Sequence, residues 1–135
     1  MKEFALQSRM LTMRGVFYPT GYLFVTLPSL QDAERLDHEL ESSGYRGHEV
    51  MLVPPATILQ QIGKTISHDA DNNLPSVGTE AATVLGYERR ARQGECAVMI
   101  HAPTRKDSDA VMDIVHTLPF SSATRYRPLV IEDLN

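Results

Sequence analysis

The chain has 135 residues, a length typical of one domain with its own core. Its 42% hydrophobic and 22% charged content is ordinary for a globular protein, and a net charge of −4 suggests neither a nucleic-acid nor an anionic-membrane partner. Cys96 is the only cysteine, which excludes an intrachain disulfide framework, and no apolar run reaches the roughly 18–20 residues of a membrane span.

Residues 1–20 lack the continuous apolar segment of a signal peptide, since Arg9 and Arg14 stand among their apolar residues. We interpret this stretch as an N-terminal arm that is either frayed or docked on a partner. Residues 21–135 then form a single domain. The missing secretion signal and the single cysteine favour a cytoplasmic location.

The first part of the domain follows a strand–helix–strand plan. The β-branched and aromatic run GYLFVTLP, residues 21–28, ends at a proline and predicts a buried strand. Residues 29–44 predict a helix that begins at the cap Ser29 and stops at Gly44. The run HEVMLVPP, residues 48–55, predicts a second strand.

The same plan returns in the second half of the chain. ECAVMIHAP, residues 95–103, predicts a buried strand that is closed by a proline. Asp107 or Ser108 is then expected to cap a helix. Residues 122–134 supply a final strand and a short tail.

Between the two units, the insertion 56–94 predicts two further helices, 56–67 and 79–94. Two strand–helix–strand units in one small α+β domain favour the ferredoxin-like arrangement, a four-stranded antiparallel sheet with this two-helix insertion between the repeats. The first and third strands are then central, and the second and fourth are edges that charged side chains protect from stray pairing. These edge residues are His48, Glu49, Arg125 and Arg127.

Several stretches resemble the small α/β domains of bacterial general stress proteins. The first unit has a strand that leads into a helix with Ala33, Leu36 and Leu40, followed by Gly44. The second unit has YERRARQG (87–94), the strand CAVMI and the ending RYRPLVIEDL, although the glycine-rich middle segment of such domains is missing. The resemblance implies a cytoplasmic, stress-related domain without established enzymatic activity. It supplies no catalytic residue and no cofactor.

The stretch SHDADNNLPSVGTE, residues 67–80, has nearly the spacing of a calcium-binding loop. The oxygen-bearing residues that match are Asp69, Asp71, Asn73 and Glu80. Leu74 stands where the loop needs a glycine, and Pro75 favours an extended conformation at Leu74. A solvated polar turn therefore explains the stretch better than a metal site does.

Arginines near the ends of two predicted elements suggest a pocket for a small anionic ligand. Arg89 lies near the end of the helix 79–94, where the helix dipole also favours a cation without any ligand. Arg125 lies in the final strand, and His101 ends a central strand. The candidate ligand-binding residues are His101, Tyr87, Arg89 and Arg125.

The sequence alone favours a non-catalytic binding or assembly module, a homodimer or larger homo-oligomer that pairs through the open face or an edge strand of its sheet. Nucleic-acid binding is disfavoured because the central strands carry few aromatic residues for stacking bases. The alternative is a ferredoxin-like dimeric enzyme acting on a small molecule, with His101 and His48 as acid–base groups and Glu49 beside them. Cys96 and His101 are an odd number of residues apart, on opposite faces of a regular strand, which argues against a nucleophile–base pair.

Overall fold

A computed structural model of the protein describes residues 1–45, 49–66 and 78–135. The strands are β1 (Lys2–Glu3), β2 (Tyr22–Leu27), β3 (Val50–Val53), β4 (Cys96–His101), β5 (Ser122–Arg127) and β6 (Val130–Leu134). The α-helices are α1 (Leu30–Ser42), α2 (Pro55–Thr57), α3 (Gly78–Arg92) and α4 (Arg105–Val115). Short α2 continues into a π-helical stretch at Ile58–Ile62 and a 3-10 turn at Gly63–Thr65, and another 3-10 turn spans Ser8–Met10.

The strands form one six-stranded mixed sheet in the order β1-β3-β4-β2-β5-β6. β1 runs parallel to β3, and every other neighbouring pair is antiparallel. The α+β class is confirmed, but the predicted four-stranded antiparallel ferredoxin-like sheet is wrong. Two strands were missed because β1 has only 2 residues, and because the turn at Pro128 and Leu129 divides the predicted final strand into β5 and β6.

The two extra strands move the edges of the sheet. β3 and β5, predicted as edges, are each paired on both sides, so Arg125 and Arg127 do not guard an outer edge. Glu49 immediately precedes β3, which is covered by β1. His48 lies outside the described residues. The charged side chains on these strands therefore need another explanation.

Side chains alternate between the two faces of the sheet, and each face carries its own buried cluster. The helix-side cluster packs the sheet against α1 and α4 and includes Leu23, Val25, Leu36, Val98, Val111 and Val115. The insertion-side cluster packs the opposite face against α3 and the segment before it and includes Phe24, Ile58, Ile62, Val84, Tyr87 and Met99. Burying a side chain of this kind contributes about 1.5–3 kcal/mol relative to leaving it exposed.

The N-terminal residues also belong to the insertion-side cluster. Phe4, Met10 and Phe17 are buried there, and the Phe17 ring makes an edge-on contact with Phe24 at a centroid distance of 5.7 Å. The segment 1–20, predicted to be frayed or docked on a partner, therefore packs on the sheet of its own chain. With it in place, both faces of the sheet are covered.

The helix ends follow capping rules. Ser29 caps α1, as predicted, by accepting a hydrogen bond from the backbone of Asp32, and Gly44 follows this helix with a φ of +83°. The predicted cap of α4 is wrong, because Thr104 is the cap and Asp107 is its reciprocal partner in a capping box. Within the described residues, no helix has the length and apolar character needed to cross a membrane.

Candidate functional site

The four residues predicted to share a ligand pocket lie at separate places. Tyr87 is buried in the insertion-side cluster, whereas Arg125 lies on the opposite face of the sheet, where it pairs with Leu23. His101 ends β4, and its ring lies 5.0 Å from that of Tyr22. Arg89 is exposed on α3. The structure does not bring the four side chains together.

Tyr87 takes a core position. Its ring stacks on Phe24 with centroids 4.2 Å apart, and its hydroxyl lies 2.8 Å from the hydroxyl of Tyr126. Burial raises the pKa of both tyrosines. The two hydroxyls therefore stay protonated and satisfy each other inside the core.

A polar cluster surrounds Glu49 at one end of the sheet. The Tyr22 hydroxyl donates to Oε1 of Glu49 at 2.7 Å, and Lys2 Nζ lies 3.2 Å from Oε2. Arg9 Nη2 lies 3.5 Å from Oε1. The backbone N–H of His101 donates to the carbonyl oxygen of Glu49 at 2.8 Å. Two residues of the enzyme hypothesis, His101 and Glu49, are thus neighbours, while the third, His48, lies outside the described residues.

The electrostatics of this cluster favour an ion pair over acid–base chemistry. The hydrogen bond from Tyr22 is the largest cause that lowers the pKa of Glu49, and Lys2 and Arg9 lower it further. A general base works best when its pKa lies near the working pH. Glu49 is shifted away from that range, so the cluster is better suited to tying the N-terminal segment to the sheet.

A second polar site, the arginine pocket, lies between the first turns of α4 and the β5–β6 hairpin. Its volume is about 200 Å³. The residues that line it are Arg105, Ser108, Asp109, Arg125, Arg127, Glu132 and Leu134. Arg125 and Arg127 are two residues apart on β5 and so point to the same face, and Oε1 of Glu132 lies 3.7 Å and 3.3 Å from their guanidinium groups.

A third site, the turn cleft, has a volume of about 780 Å³ and lies between the N-terminal segment, the start of α3 and the β5–β6 turn. Its lining includes Arg9, Met13, Tyr18, Glu80, Leu129 and Ile131. Leu129 is 99% exposed and Met13 is fully exposed. Leu129 also has a φ of +64°, a left-handed conformation that leucine rarely adopts.

Only one of the four predicted metal ligands, Glu80, lies within the residues that the structure describes. Asp69, Asp71 and Asn73 lie outside the described residues, and Glu80 lies in the first turn of α3, at the turn cleft. Within 1–45, 49–66 and 78–135, no group of three His, Cys, Asp or Glu side chains could hold a metal ion.

Cys96 is buried at the start of β4, as predicted, in the helix-side cluster. Burial raises the pKa of its thiol, so little of the reactive thiolate is present at neutral pH. His101 lies at the other end of β4, against Tyr22 of the opposite face. The two do not form a nucleophile–base pair.

No protein-family model, curated protein or solved structure matches this chain. The resemblance to general stress proteins therefore stays a prediction that rests on the residues given above.

Sequence reasoning named Arg125 as an anion contact but missed its neighbours. Two signals were available. The alternation of a strand places Arg125 and Arg127 on one face, and the T-x-x-D pattern of Thr104 and Asp107 places Arg105 at the start of a helix. The start of α4 lies beside the β5–β6 hairpin because of the topology of the fold. The sequence alone does not predict this proximity.

Proposed function

We propose that this protein is a non-catalytic assembly module that forms a homodimer through the outer edge of β6 and the turn cleft beside it. The cytoplasmic, stress-related setting implied by the resemblance belongs to the same proposal. Support comes from the exposed surfaces of the sheet and, above all, from Leu129.

The arrangement of the sheet supports an edge contact over a face contact. Both faces are covered by the chain itself, so an open face is not offered to a second copy. At one edge, β1 has 2 residues, both charged. At the other edge, β6 has 5 residues, including Val130, Ile131 and Leu134, and no strand of the described chain pairs with its outer side. Such an edge can add a strand from another chain.

Leu129 is the observation that carries the proposal. It follows Pro128 at the position of the turn where a positive φ favours Gly or Asn. A left-handed leucine costs roughly 1–2 kcal/mol, and this one leaves its whole side chain in water. Neither feature stabilises the monomer. Both are explained if a second copy covers the side chain, since burying a leucine contributes about 1.5–3 kcal/mol.

The surface around Leu129 has the features of a self-complementary patch. Two exposed apolar side chains, Met13 and Leu129, line the turn cleft, which is partly apolar. Arg9, which also pairs with Glu49, and Glu80 are of opposite charge and both line the turn cleft. In a two-fold dimer, a surface patch packs against the identical patch of the second copy. Such a patch must therefore carry both a projecting side chain and the cleft that receives it, and both a cation and an anion.

The test is the mass of the full chain over a concentration series, measured by sedimentation velocity. We expect the wild type to form a dimer that dissociates on dilution. Leu129→Asn should remain monomeric, and its monomer should unfold at an equal or higher denaturant concentration, because Asn accepts the left-handed conformation.

The matched control is Leu30→Asn, which changes another exposed leucine on α1 and should leave the dimer intact. The proposal is wrong if the wild type stays monomeric at its highest soluble concentration. It is equally wrong if Leu129→Asn dimerises as the wild type does.

A further inference from the structure

Arg125 is a nearly buried cation with few partners. Its side chain is 12% exposed. Within the described chain, its guanidinium group makes no hydrogen bond, and its one ion pair, with Glu132, is 3.7 Å long. A guanidinium carries five N–H donors, and none of the Arg125 nitrogens is both buried and without a partner, so these donors are accessible from solvent. Arg125 lines the arginine pocket, so a ligand acceptor in that pocket can reach them.

The charge of Arg105 is unfavourable for the helix that contains it. It is the first residue of α4, directly after the cap Thr104. The N-terminus of a helix carries partial positive charge, so a cation is unfavourable there. Arg105 nevertheless lines the same pocket as Arg125 and Arg127. An anion bound between them offsets that repulsion.

The lining residues determine the net charge of the pocket and the protonation state of the anion that it favours. Three arginines, the buried Ser108 and two carboxylates, Asp109 and Glu132, line the pocket, so the lining carries one net positive charge. A fully deprotonated anion meets the carboxylates as like charges. An anion that keeps a proton can instead donate a hydrogen bond to one of them. Hydrogen phosphate and dihydrogen phosphate keep a proton at neutral pH, whereas sulfate does not.

We propose that the arginine pocket binds a phosphate group, held by Arg105, Arg125 and Arg127 and contacted by Ser108. Guanidinium groups match phosphate oxygens with paired hydrogen bonds. The volume of about 200 Å³ encloses a phosphate group but is smaller than the roughly 300–1,000 Å³ of pockets for larger ligands. No residue lines both this pocket and the turn cleft, although Glu132 and Leu134 of the pocket lie on β6, the edge strand of the proposed dimer.

The test is isothermal titration calorimetry of the full chain with inorganic phosphate, at an ionic strength held constant with potassium chloride. We expect saturable binding to the wild type. Arg105→Gln should weaken it about tenfold, the effect of losing one charged hydrogen bond. This variant removes an unfavourable charge from α4, so loss of folding does not explain a loss of binding.

The control is Arg35→Gln, which removes an equal charge from an exposed position on α1 and should bind phosphate as the wild type does. Sulfate should bind more weakly than phosphate. Glycerol 3-phosphate and inorganic phosphate, titrated separately at about pH 5, below the second pKa of about 6 of a phosphomonoester, both keep a proton. Tighter binding of glycerol 3-phosphate assigns the site to a phosphomonoester, and weaker binding assigns it to free phosphate.

Three results would overturn the proposal. The first is the absence of saturable phosphate binding at matched ionic strength. The second is equal affinity of Arg105→Gln and the wild type. The third is sulfate binding as tight as phosphate binding, which would remove the phosphate assignment.

Discussion

At the scale of single residues, Gly63 is required for space. Its φ of −60° is helical, so the backbone conformation suits any residue type. A Cβ at this position would, however, lie 2.6 Å from Oε2 of Glu88. The Glu88 side chain is only 4% exposed, and its carboxylate lies 3.8 Å from Arg92. The carboxylate therefore has little freedom to move aside.

We expect Gly63→Ala to lower the free energy of unfolding by about 1–3 kcal/mol, the usual cost of overpacking a dense interior. Urea denaturation measures the change. The matched control is Gly86→Ala on α3, where the nearest atom to a new Cβ is 3.7 Å away. That substitution should raise stability by about 0.5–1 kcal/mol, because alanine favours a helix interior over glycine. Equal effects at the two positions would contradict the packing argument.

Glu49 links stability to pH. Its pKa in the folded protein lies below the ordinary value of 4.5, chiefly through the hydrogen bond from Tyr22. The unfolded chain therefore takes up the proton first as the pH falls. The stabilisation is fully present above the unfolded value and is lost as the pH drops through the lower folded value.

Urea unfolding of the wild type and Glu49→Gln at a series of acidic pH values tests this linkage. The wild type should lose stability more steeply below pH 4.5 than the variant does. Glu34→Gln, an exposed position on α1, is the control for the change in net charge. Parallel curves for the wild type and Glu49→Gln would refute the assignment.

At the scale of elements, the N-terminal segment is held by bonds to the insertion as well as by its apolar side chains. The backbone N–H of Leu6 donates to Oε1 of Gln61 at 3.0 Å. The backbone N–H of Phe17 donates to Oγ1 of Thr65 at 3.1 Å. These bonds join two parts of the chain that lie on the same face of the sheet. Together they cover a face that the predicted arrangement leaves open.

Phe17→Ala should therefore destabilise the protein by about 3–5 kcal/mol, because Phe17 is completely buried between Phe4, Phe24 and Tyr126. Chemical denaturation at two protein concentrations measures the effect. The same loss is expected at both, since the contacts lie within one chain. Leu85→Ala, at an exposed position on α3, should change little. A loss that disappears on dilution would indicate docking on a second copy.

At the scale of the whole molecule, the sequence predicts the interior of the sheet better than its boundary. β2 and β4 are buried along their length and read as continuous apolar runs. Phe4, Met10 and Phe17 follow neither a helical nor a strand period, so their burial depends on tertiary packing. The β5–β6 turn had a signal in Pro128, but the left-handed Leu129 that completes it is an unusual choice.

The candidate sites show the same division. Arg125 was identifiable because a charged residue within a strand needs a reason, whereas the spacing of Glu80 from Asp69 predicted a metal ligand, which stays a prediction. Apart from Arg127, the residues that line the arginine pocket with Arg125 come from α4 and β6, two elements that the fold brings to β5. Hydrophobic periodicity fixes which side chains share a face of one element. It does not fix which elements meet at their ends.

The burial of Cys96 also makes the protein convenient to study. Cys96 is the first residue of β4, and it pairs with Leu27 of β2 in the sheet. These two strands are the central pair. Alkylating reagents reach such a thiol only when the helix-side cluster around it opens. The rate of alkylation of the native protein therefore reports how often the packing at the start of β4 opens. A cysteine added at an exposed site would react ahead of it, which allows specific labelling without removing Cys96.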